Sequence, residues 1–195
     1  MPFAVPVSVA QVWAFAASGI VFFLFLVRAA ASRKAEPGSK RDRRSQLGII
    51  VQTIGFFIVG FGPVRFALPP FSLASIAGCA VVLCLTGGAV TLFATSSREL
   101  GKNWSLVARM RSDHELIRTG PYARVRHPIY LGMLLFLLSF SIALGHWVQL
   151  IVALPLFLIG TSIRTNAEDK LLEEQFGSAF VDYARTTPAV FPRLG

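Results

Sequence analysis

Five long apolar stretches constrain the fold of this chain more than any other feature of its sequence. They cover residues 9–27, 47–64, 71–94, 129–144 and 147–163, and none of them contains an Asp, Glu, Lys or Arg residue. A helix needs roughly 20 apolar residues to cross the hydrocarbon core of a bilayer. A hydrophobic content of 54% with only 15% charged residues also exceeds that of an ordinary soluble domain. The sequence therefore predicts an all-α integral membrane protein with five transmembrane helices.

The spacing of these stretches leaves no room for a separate soluble domain, so residues 1–195 are expected to form one membrane domain. The first stretch is too long for the apolar region of a typical signal peptide, and we expect it to be a retained span. Only Gly145 and His146 separate the last two stretches. This short connection predicts a tight helical hairpin, with His146 on the surface of its external turn.

The basic residues predict the orientation of the five spans. Eighteen of the nineteen Lys and Arg residues lie in segments 28–44, 96–128 and 164–195, whereas Arg65 alone lies in a loop on the other side. The positive-inside rule makes the basic side cytoplasmic and places the N-terminus outside and the C-terminus in the cytoplasm. The net charge of +9 comes without a nucleic-acid-binding motif, so anionic lipid headgroups are the expected partner and nucleic acid is not.

Several isolated residues carry no chemical signal of their own. Cys79 and Cys84 lie in one apolar stretch and are expected to be buried small side chains. Trp104 and Trp147 are expected at the membrane interface. The three histidines are scattered, without the cysteine or acid spacing of a metal site, so no metal is predicted.

The densest polar motif, residues 120–132, directly precedes the fourth apolar stretch and has the sequence GPYARVRHPIYLG. Pro128 disfavours a helical conformation for His127 but suits the first turn of a helix. His127 is therefore expected where a helix begins. Unpaired N–H groups and a partial positive charge at such a position suit an anionic group of a cofactor.

A second polar pair, Arg164 and Glu168, lies where the fifth apolar stretch ends. Residues four apart share one face of a helix, and charge at this depth is costly unless it is paired or functional. Acidic and apolar residues alternate beyond Arg164, which predicts an amphipathic helix that continues the fifth span until Gly177 ends it. The structural alternative is an arginine that reaches to the interface beside a solvated acid.

Together these motifs resemble the isoprenylcysteine carboxyl methyltransferase family and the related membrane phospholipid methyltransferases. The similarity covers residues 100–192, about half of the chain, and includes His114-Glu115-Leu116-Ile117 before the Arg-His-Pro motif and Arg164 and Glu168 after it. It implies an S-adenosylmethionine site in the cytoplasmic segments 96–128 and 164–195, with Arg164 against the substrate and Arg164 and Glu168 as the catalytic pair. The cofactor-contacting residues implied by the resemblance are His114, Glu115, Leu116, Ile117, Tyr122, His127, Pro128, Ile129, Tyr130 and Glu168.

The resemblance implies transfer of a methyl group to a lipophilic acceptor, such as an isoprenylcysteine carboxylate, that enters from the lipid. Methyl transfer from a sulfonium needs binding, alignment and removal of water more than acid–base chemistry or a metal. One alternative is an NADPH-dependent sterol-type reductase of the same superfamily, against which Pro128 and the Gly120-Pro121-Tyr122 turn argue. The other is a non-catalytic scaffold or transporter, although the spans lack the charge that transport would favour.

Overall fold

The structure is a computed structural model that describes residues 4–31, 40–41, 44–104, 109–110 and 115–192. The described residues form an all-helical architecture, apart from one isolated bridge and a short antiparallel ladder that pairs Lys40 with Met110 and Arg41 with Arg109. Two short 3-10 helices, Gly101–Asn103 and Gly120–Ala123, lie between the longer helices. The remaining elements are α1 (Val9–Ala31), β1 (Lys40–Arg41), α2 (Arg44–Gly60), α3 (Leu73–Leu100), β2 (Arg109–Met110), α4 (Pro128–Leu144), α5 (Trp147–Phe176) and α6 (Ser178–Thr186).

Each of the five apolar stretches lies largely in one of the first five helices. By length and composition, α1, α3 and α5 are long and apolar enough to cross a membrane, whereas α2 and α4 are shorter apolar helices. This pattern is that of a multi-pass membrane protein, and the number of crossings stays a prediction. The predicted extension of the fifth span is confirmed, because α5 continues to Phe176 and ends at Gly177, whose φ is +53°.

The ends of the second and third helices differ from the apolar boundaries 47–64 and 71–94. The second helix starts three residues earlier and ends at Gly60, because Gly62 has a φ of +134° and precedes Pro63. The third helix starts at Leu73, after the Ser72 side chain caps it by accepting a hydrogen bond from the Ser75 N–H at 3.2 Å. Hydropathy marks the apolar surface, whereas capping groups and prolines set the last turn.

A helix pair and a group of three helices form the body of the molecule, since α2 packs chiefly against α5 and α3 packs against both α4 and α1. Small residues line the α2–α5 contact. A Cβ atom on Gly160 would lie 2.8 Å from the carbonyl oxygen of Gly48 and 2.9 Å from the backbone nitrogen of Gln52. These glycines let the two backbones approach closely, as small residues do between membrane helices.

The expectation that His146 is a surface residue is wrong. Its side chain is fully buried, with Nδ1 2.7 Å from the carbonyl oxygen of Val59 and Nε2 3.2 Å from that of Pro63. The last carbonyl groups of a helix lack partners within that helix, and the His146 ring contacts one of them here, that of Val59. His146 therefore joins the turn between α4 and α5 to the end of α2.

Two other expectations about isolated residues are also corrected. Cys84 is exposed on α3 and Cys79 is partly exposed, so neither is a core side chain. Trp104 is buried in contact with Phe93, their rings 5.9 Å apart and edge to face, and it does not lie in an interfacial belt. The chain turns back after α3, which places this indole inside the molecule.

Candidate active site

One cavity of about 220 Å³ lies where α5 changes from apolar to charged, and it brings most of the predicted site residues together. Pro128 is buried as the first residue of α4, behind the wall. His114 falls outside the residues that the structure describes. The predicted residues that line the cavity are Glu115, Leu116, Ile117, Tyr122, His127, Ile129, Tyr130, Arg164 and Glu168.

The Glu168 carboxylate lies at the centre of the polar wall. The Tyr130 hydroxyl donates to Glu168 Oε1, and His127 Nδ1 lies 3.3 Å from Glu168 Oε2. His127 takes a non-helical backbone conformation (φ −128°, ψ 60°) and Pro128 starts α4, as the sequence predicts. This start of α4 delivers an imidazole and a phenol to the same carboxylate.

A second carboxylate, Asp169, holds the other side of the His127 ring. His127 Nε2 lies 2.8 Å from Asp169 Oδ1, and Arg126 Nη2 lies 2.7 Å from Asp169 Oδ2. Burial alone would lower the pKa of His127, but the hydrogen bonds to Asp169 and Glu168 raise it to about 9. The ring is therefore an imidazolium at neutral pH, and both of its nitrogens donate.

The C-terminal segment closes over this polar wall. Arg126 Nη1 donates to the carbonyl oxygens of Ala184 at 3.2 Å and Thr187 at 2.5 Å. The backbone N–H of Arg126 donates to Pro188 at 2.9 Å, and that of His127 donates to Ala189 at 2.8 Å. The backbone N–H of His127, at the start of α4, is thus paired with a carbonyl group of the chain itself, that of Ala189.

The two tyrosines that join α6 to the 3-10 turn remain neutral donors. Tyr183 Oη donates to the carbonyl oxygen of Tyr122 at 2.6 Å. Burial raises the pKa of Tyr183 to about 12. Burial and the charge of Glu168 raise the pKa of Tyr122 well above 10. Both phenols line the cavity, so this wall offers hydroxyl groups at any physiological pH.

Arg164 is buried beside the cavity and does not reach outward as an interfacial arginine would. Its Cζ atom lies 4.8 Å from the centroid of the Tyr130 ring, within the range of a cation–π contact. Its Nη1 donates to Gln52 Oε1 at 3.0 Å. Arg164 and Glu168 therefore face the same cavity from successive turns of α5.

The opposite wall is mainly apolar, with Phe22 and Leu26 from α1 and Phe93 from α3 among its side chains. Asn103 also lines the cavity, and its side chain pairs with the backbone of Glu115. Its Nδ2 donates to the Glu115 carbonyl at 3.3 Å, and its Oδ1 accepts from the Glu115 N–H at 3.4 Å. The cavity therefore combines a hydrogen-bonding wall with an apolar wall, as ligand sites do.

The sequence analysis missed four of the polar residues in and around this site. Arg126 and Asp169 flank His127 and Glu168 in the chain, and their opposite charges were the available signal. Gln52 had a weaker signal, as an amide inside an apolar stretch. Asn103 had none that separates it from an ordinary turn residue. Among the residues that the structure describes, no group of three or more His, Cys, Asp or Glu could hold a metal ion.

Comparison with known proteins shows which family and which relatives have similar sequences. Residues 80–174 match the model of the Isoprenylcysteine carboxyl methyltransferase (ICMT) family. The chain is 35% identical over 108 residues to the nickel-cobalt-cadmium resistance protein NccN of Alcaligenes xylosoxydans xylosoxydans, a match that covers 54% of this chain and 49% of that protein. It is 33% identical over 105 residues to the cobalt-zinc-cadmium resistance protein CzcN of Cupriavidus metallidurans, with 53% and 48% covered.

A third relative is the protein-S-isoprenylcysteine O-methyltransferase of Schizosaccharomyces pombe. It is 31% identical over 98 residues, which cover 49% of this chain and 42% of that enzyme. The chain thus matches about half of the length of these curated relatives, or less. The matched region contains both the Arg-His-Pro motif and the Arg164 and Glu168 pair. Residues 80–174 of the chain, just under half of its length, match the isoprenylcysteine carboxyl methyltransferase family.

Proposed function

We propose that this chain is a membrane methyltransferase that uses S-adenosylmethionine to methylate a lipophilic acceptor, with an isoprenylcysteine carboxylate as the first candidate. One observation carries the proposal: Arg164 and Glu168, one helical turn apart, face one cavity, and each is held by a residue from another helix. An acceptor and a cofactor must meet in one place for transfer, and this pair offers a cation and an anion there.

The residues present suit S-adenosylmethionine by their chemistry. When bound, this cofactor supplies a methyl group on a sulfonium, which is already an activated leaving group. Its cationic groups suit the carboxylate of Glu168, which His127 and Tyr130 hold in place. Its adenine suits apolar and aromatic side chains such as Tyr122 and Ile117. Leu116, Ile129 and Tyr130 complete the cofactor wall in this proposal, with Pro128 behind it and His114 next to Glu115 in the chain.

The chain's own residues act mainly by alignment. Tyr130 and His127 hold the Glu168 carboxylate in one orientation, so this anion need not reorganise when a cation approaches. Arg164 orients the acceptor, because a guanidinium can pair with a carboxylate through two parallel hydrogen bonds. The apolar wall keeps water away from the reacting groups and receives the hydrocarbon part of the acceptor.

We infer that the cavity opens to the cytoplasm. Eighteen of the nineteen basic residues lie in segments 28–44, 96–128 and 164–195 of the sequence, and the last two segments contribute side chains to the cavity. The positive-inside rule assigns these segments to the cytoplasm. The cofactor then arrives from the cytoplasm, whereas the acceptor arrives from the bilayer. The N-terminus is external in this arrangement, and the C-terminus is cytoplasmic.

A transfer assay with labelled methyl groups tests the proposal. Wild type in lipid vesicles is expected to form a labelled methyl ester on a small farnesylated cysteine analogue. Arg164→Ala and Arg164→Lys should lose this activity while binding S-adenosylhomocysteine nearly as wild type does, because acceptor alignment is lost and cofactor affinity is not. Lysine cannot replace the planar, two-pronged contact of arginine.

Three other results would contradict the proposal. Equal rates for wild type and Arg164→Ala would remove Arg164 from the reaction. Binding of NADPH in place of S-adenosylhomocysteine would favour the sterol-type reductase. Failure to methylate any lipophilic carboxylate, thiol, amine or phospholipid, without binding of either cofactor, would favour a non-catalytic scaffold or transporter.

A further inference from the structure

A buried glutamine in the second helix contacts the arginine that the proposed reaction requires. Gln52 is 2% exposed and lies in the middle of α2, outside the region that matches the family. Its Oε1 accepts a hydrogen bond from Arg164 Nη1 at 3.0 Å, and its Nε2 donates to Thr161 Oγ1 at 2.8 Å. One amide thus connects two successive turns of α5.

The chemistry of its partners fixes the orientation of this amide. A guanidinium has N–H donors and no acceptor, so only the oxygen of Gln52 can face Arg164. The amide nitrogen must then face Thr161, whose hydroxyl oxygen can accept. A reversed amide would set N–H groups against the guanidinium and leave a buried polar group unpaired, which is unfavourable.

The backbone geometry allows Gln52 to reach this position. Gly48 lies one turn before Gln52 on α2, and a Cβ atom there would lie 2.4 Å from Arg164 Cγ. A Cβ atom on Gly160 would lie 2.8 Å from Gln52 Cγ. The two glycines therefore leave room for the side chains of Gln52 and Arg164 between helices that otherwise touch through their backbones.

Gln52 and Tyr130 both contact the guanidinium. Tyr130 presents its ring 4.8 Å from Arg164 Cζ, and the amide oxygen of Gln52 accepts from Nη1. Arg164 and Tyr130 line the cavity, whereas Gln52 is not among the lining residues. Arg164 is therefore the lining residue through which Gln52 most directly reaches a ligand in the cavity.

We propose that Gln52 is a positioning residue for methyl transfer, which sets the direction of the Arg164 guanidinium toward the acceptor. The inference rests on the proposed function, because it assigns Arg164 to the acceptor. A misplacement of about 1 Å in a reacting pair can cost about 100-fold in rate. Loss of the Gln52 contact frees the long arginine side chain to adopt other rotamers, so the expected loss is in kcat.

Three substitutions at position 52, measured in the methyl-transfer assay, separate positioning from packing. Gln52→Met keeps the length and loses both hydrogen bonds, and Gln52→Asn is one methylene too short to span both partners. Each should lower kcat by about 10- to 100-fold and leave the affinity for S-adenosylhomocysteine within about twofold. Gln52→Glu keeps an oxygen toward Arg164 and can accept from the Thr161 hydroxyl, so it should recover most of the activity.

A matched control removes a buried interhelical hydrogen bond elsewhere. Thr86 and Ser139 join α3 and α4 with their hydroxyl oxygens 2.8 Å apart, and neither lines the cavity. Thr86→Val should lower the melting temperature in detergent as much as Gln52→Met does, but it should leave kcat unchanged. A purely structural role for Gln52 predicts the same pattern for both variants.

The outcomes distinguish this inference from the proposed function. Gln52→Met that methylates at the wild-type rate overturns the positioning role and leaves the proposed function intact. If Gln52→Met does not fold, Gln52→Asn replaces it, and Gln52→Glu with activity no higher than Gln52→Asn also overturns the role. Wild type that transfers no methyl group to the farnesylated analogue or to any other acceptor overturns both.

Discussion

Charges of alternating sign follow one another along the polar wall of the cavity. Arg126 contacts Asp169, Asp169 contacts His127, and His127 contacts Glu168. Each inner member has an opposite charge on either side, so burial of the group leaves no charge unpaired. Removal of one member leaves its neighbour exposed to an uncompensated desolvation cost. Substitution of one residue in this series should therefore cost more stability than substitution of one partner of a surface ion pair.

Glu168→Ala should weaken binding of S-adenosylhomocysteine, by about 1–3 kcal/mol if a charge-assisted hydrogen bond to the ligand is lost. Calorimetry in detergent measures this. Glu174→Ala is the matched control, because it removes an acid from the same helix whose nearest cation is the exposed Lys170. Equal affinity in wild type, Glu168→Ala and His127→Ala would exclude this carboxylate wall as the cofactor site.

The raised pKa of His127 predicts a specific loss of stability in alkaline solution. Because the folded-state pKa of about 9 exceeds the ordinary value of 6.5, the imidazolium stabilises the fold fully below pH 6.5. This stabilisation, on the order of 3 kcal/mol, is lost as the pH rises from 6.5 through 9. Thermal unfolding in detergent between pH 6 and 10 should show it as a falling Tm.

A His127→Gln variant provides the comparison for this pH dependence. Glutamine cannot be protonated, so the gap in Tm between wild type and the variant should be widest near pH 6 and should close above pH 9. A gap that stays constant across this range would mean that the His127 ring is not charged in the folded protein. A gap that widens with pH would mean that folding lowers the pKa of His127 and does not raise it.

At the scale of whole helices, close backbone contact between α2 and α5 sets where Arg164 and Glu168 lie. The contact repeats along both helices, since Gly55 also approaches α5, where a Cβ atom would lie 3.1 Å from the carbonyl oxygen of Ala153. An atom placed against backbone cannot be accommodated by rotation of a side chain. The separation of the two helices is therefore fixed by glycine at these positions.

Gly160→Ala should destabilise the protein by about 1–3 kcal/mol through overpacking. The added methyl group would meet the backbone of Gly48 and Gln52 at less than 3.0 Å. Gly87→Ala is the control, because a Cβ atom there has nothing within 4 Å, and alanine should be neutral or stabilising by up to about 1 kcal/mol. Equal melting temperatures for the two variants would show that the helices do not touch at Gly160.

The positions of the helices followed from the sequence more directly than the long-range contacts of their polar side chains did. Apolar runs predict helices because a backbone in lipid must satisfy its own hydrogen bonds. Pro128 fixed the start of α4 for local steric reasons. Gln52 and His146 contact groups that are 112 and 87 residues away in the chain. Nothing local distinguishes a polar residue with such a partner from one in water, so their burial could not be predicted.

At the scale of the molecule, the two ends of the helix bundle have different characters. One end holds the cavity and its charged wall. At the other end, the N-terminal segment crosses the bundle, with the Val5 N–H 3.0 Å from the carbonyl oxygen of Gly145 and the Val7 N–H 2.9 Å from that of Arg65. The segments that the charge pattern assigned to one outer side thus lie together.

Labelling of single cysteines in sealed vesicles of known orientation decides which end faces the cytoplasm. The native Cys79 and Cys84 are partly or fully exposed, so both must first be replaced by alanine. Arg65 and Ser178 are exposed positions at opposite ends of the bundle. With Arg65 replaced by cysteine, an impermeant maleimide should react only from the outside, and with Ser178 replaced it should react only from the cytoplasmic side.

The physical reason for this expected labelling pattern is the cost of translocating basic loops, which should keep segments 28–44, 96–128 and 164–195 in the cytoplasm. The prediction needs an odd number of crossings between Arg65 and Ser178, and helices α3, α4 and α5 supply three. Reaction of both positions from the same side would mean that one of these helices, most simply the short α4, does not cross. Segments 96–128 and 164–195, which both line the cavity, would then lie on opposite faces of the membrane, and the shared site and the route proposed for the cofactor would be wrong.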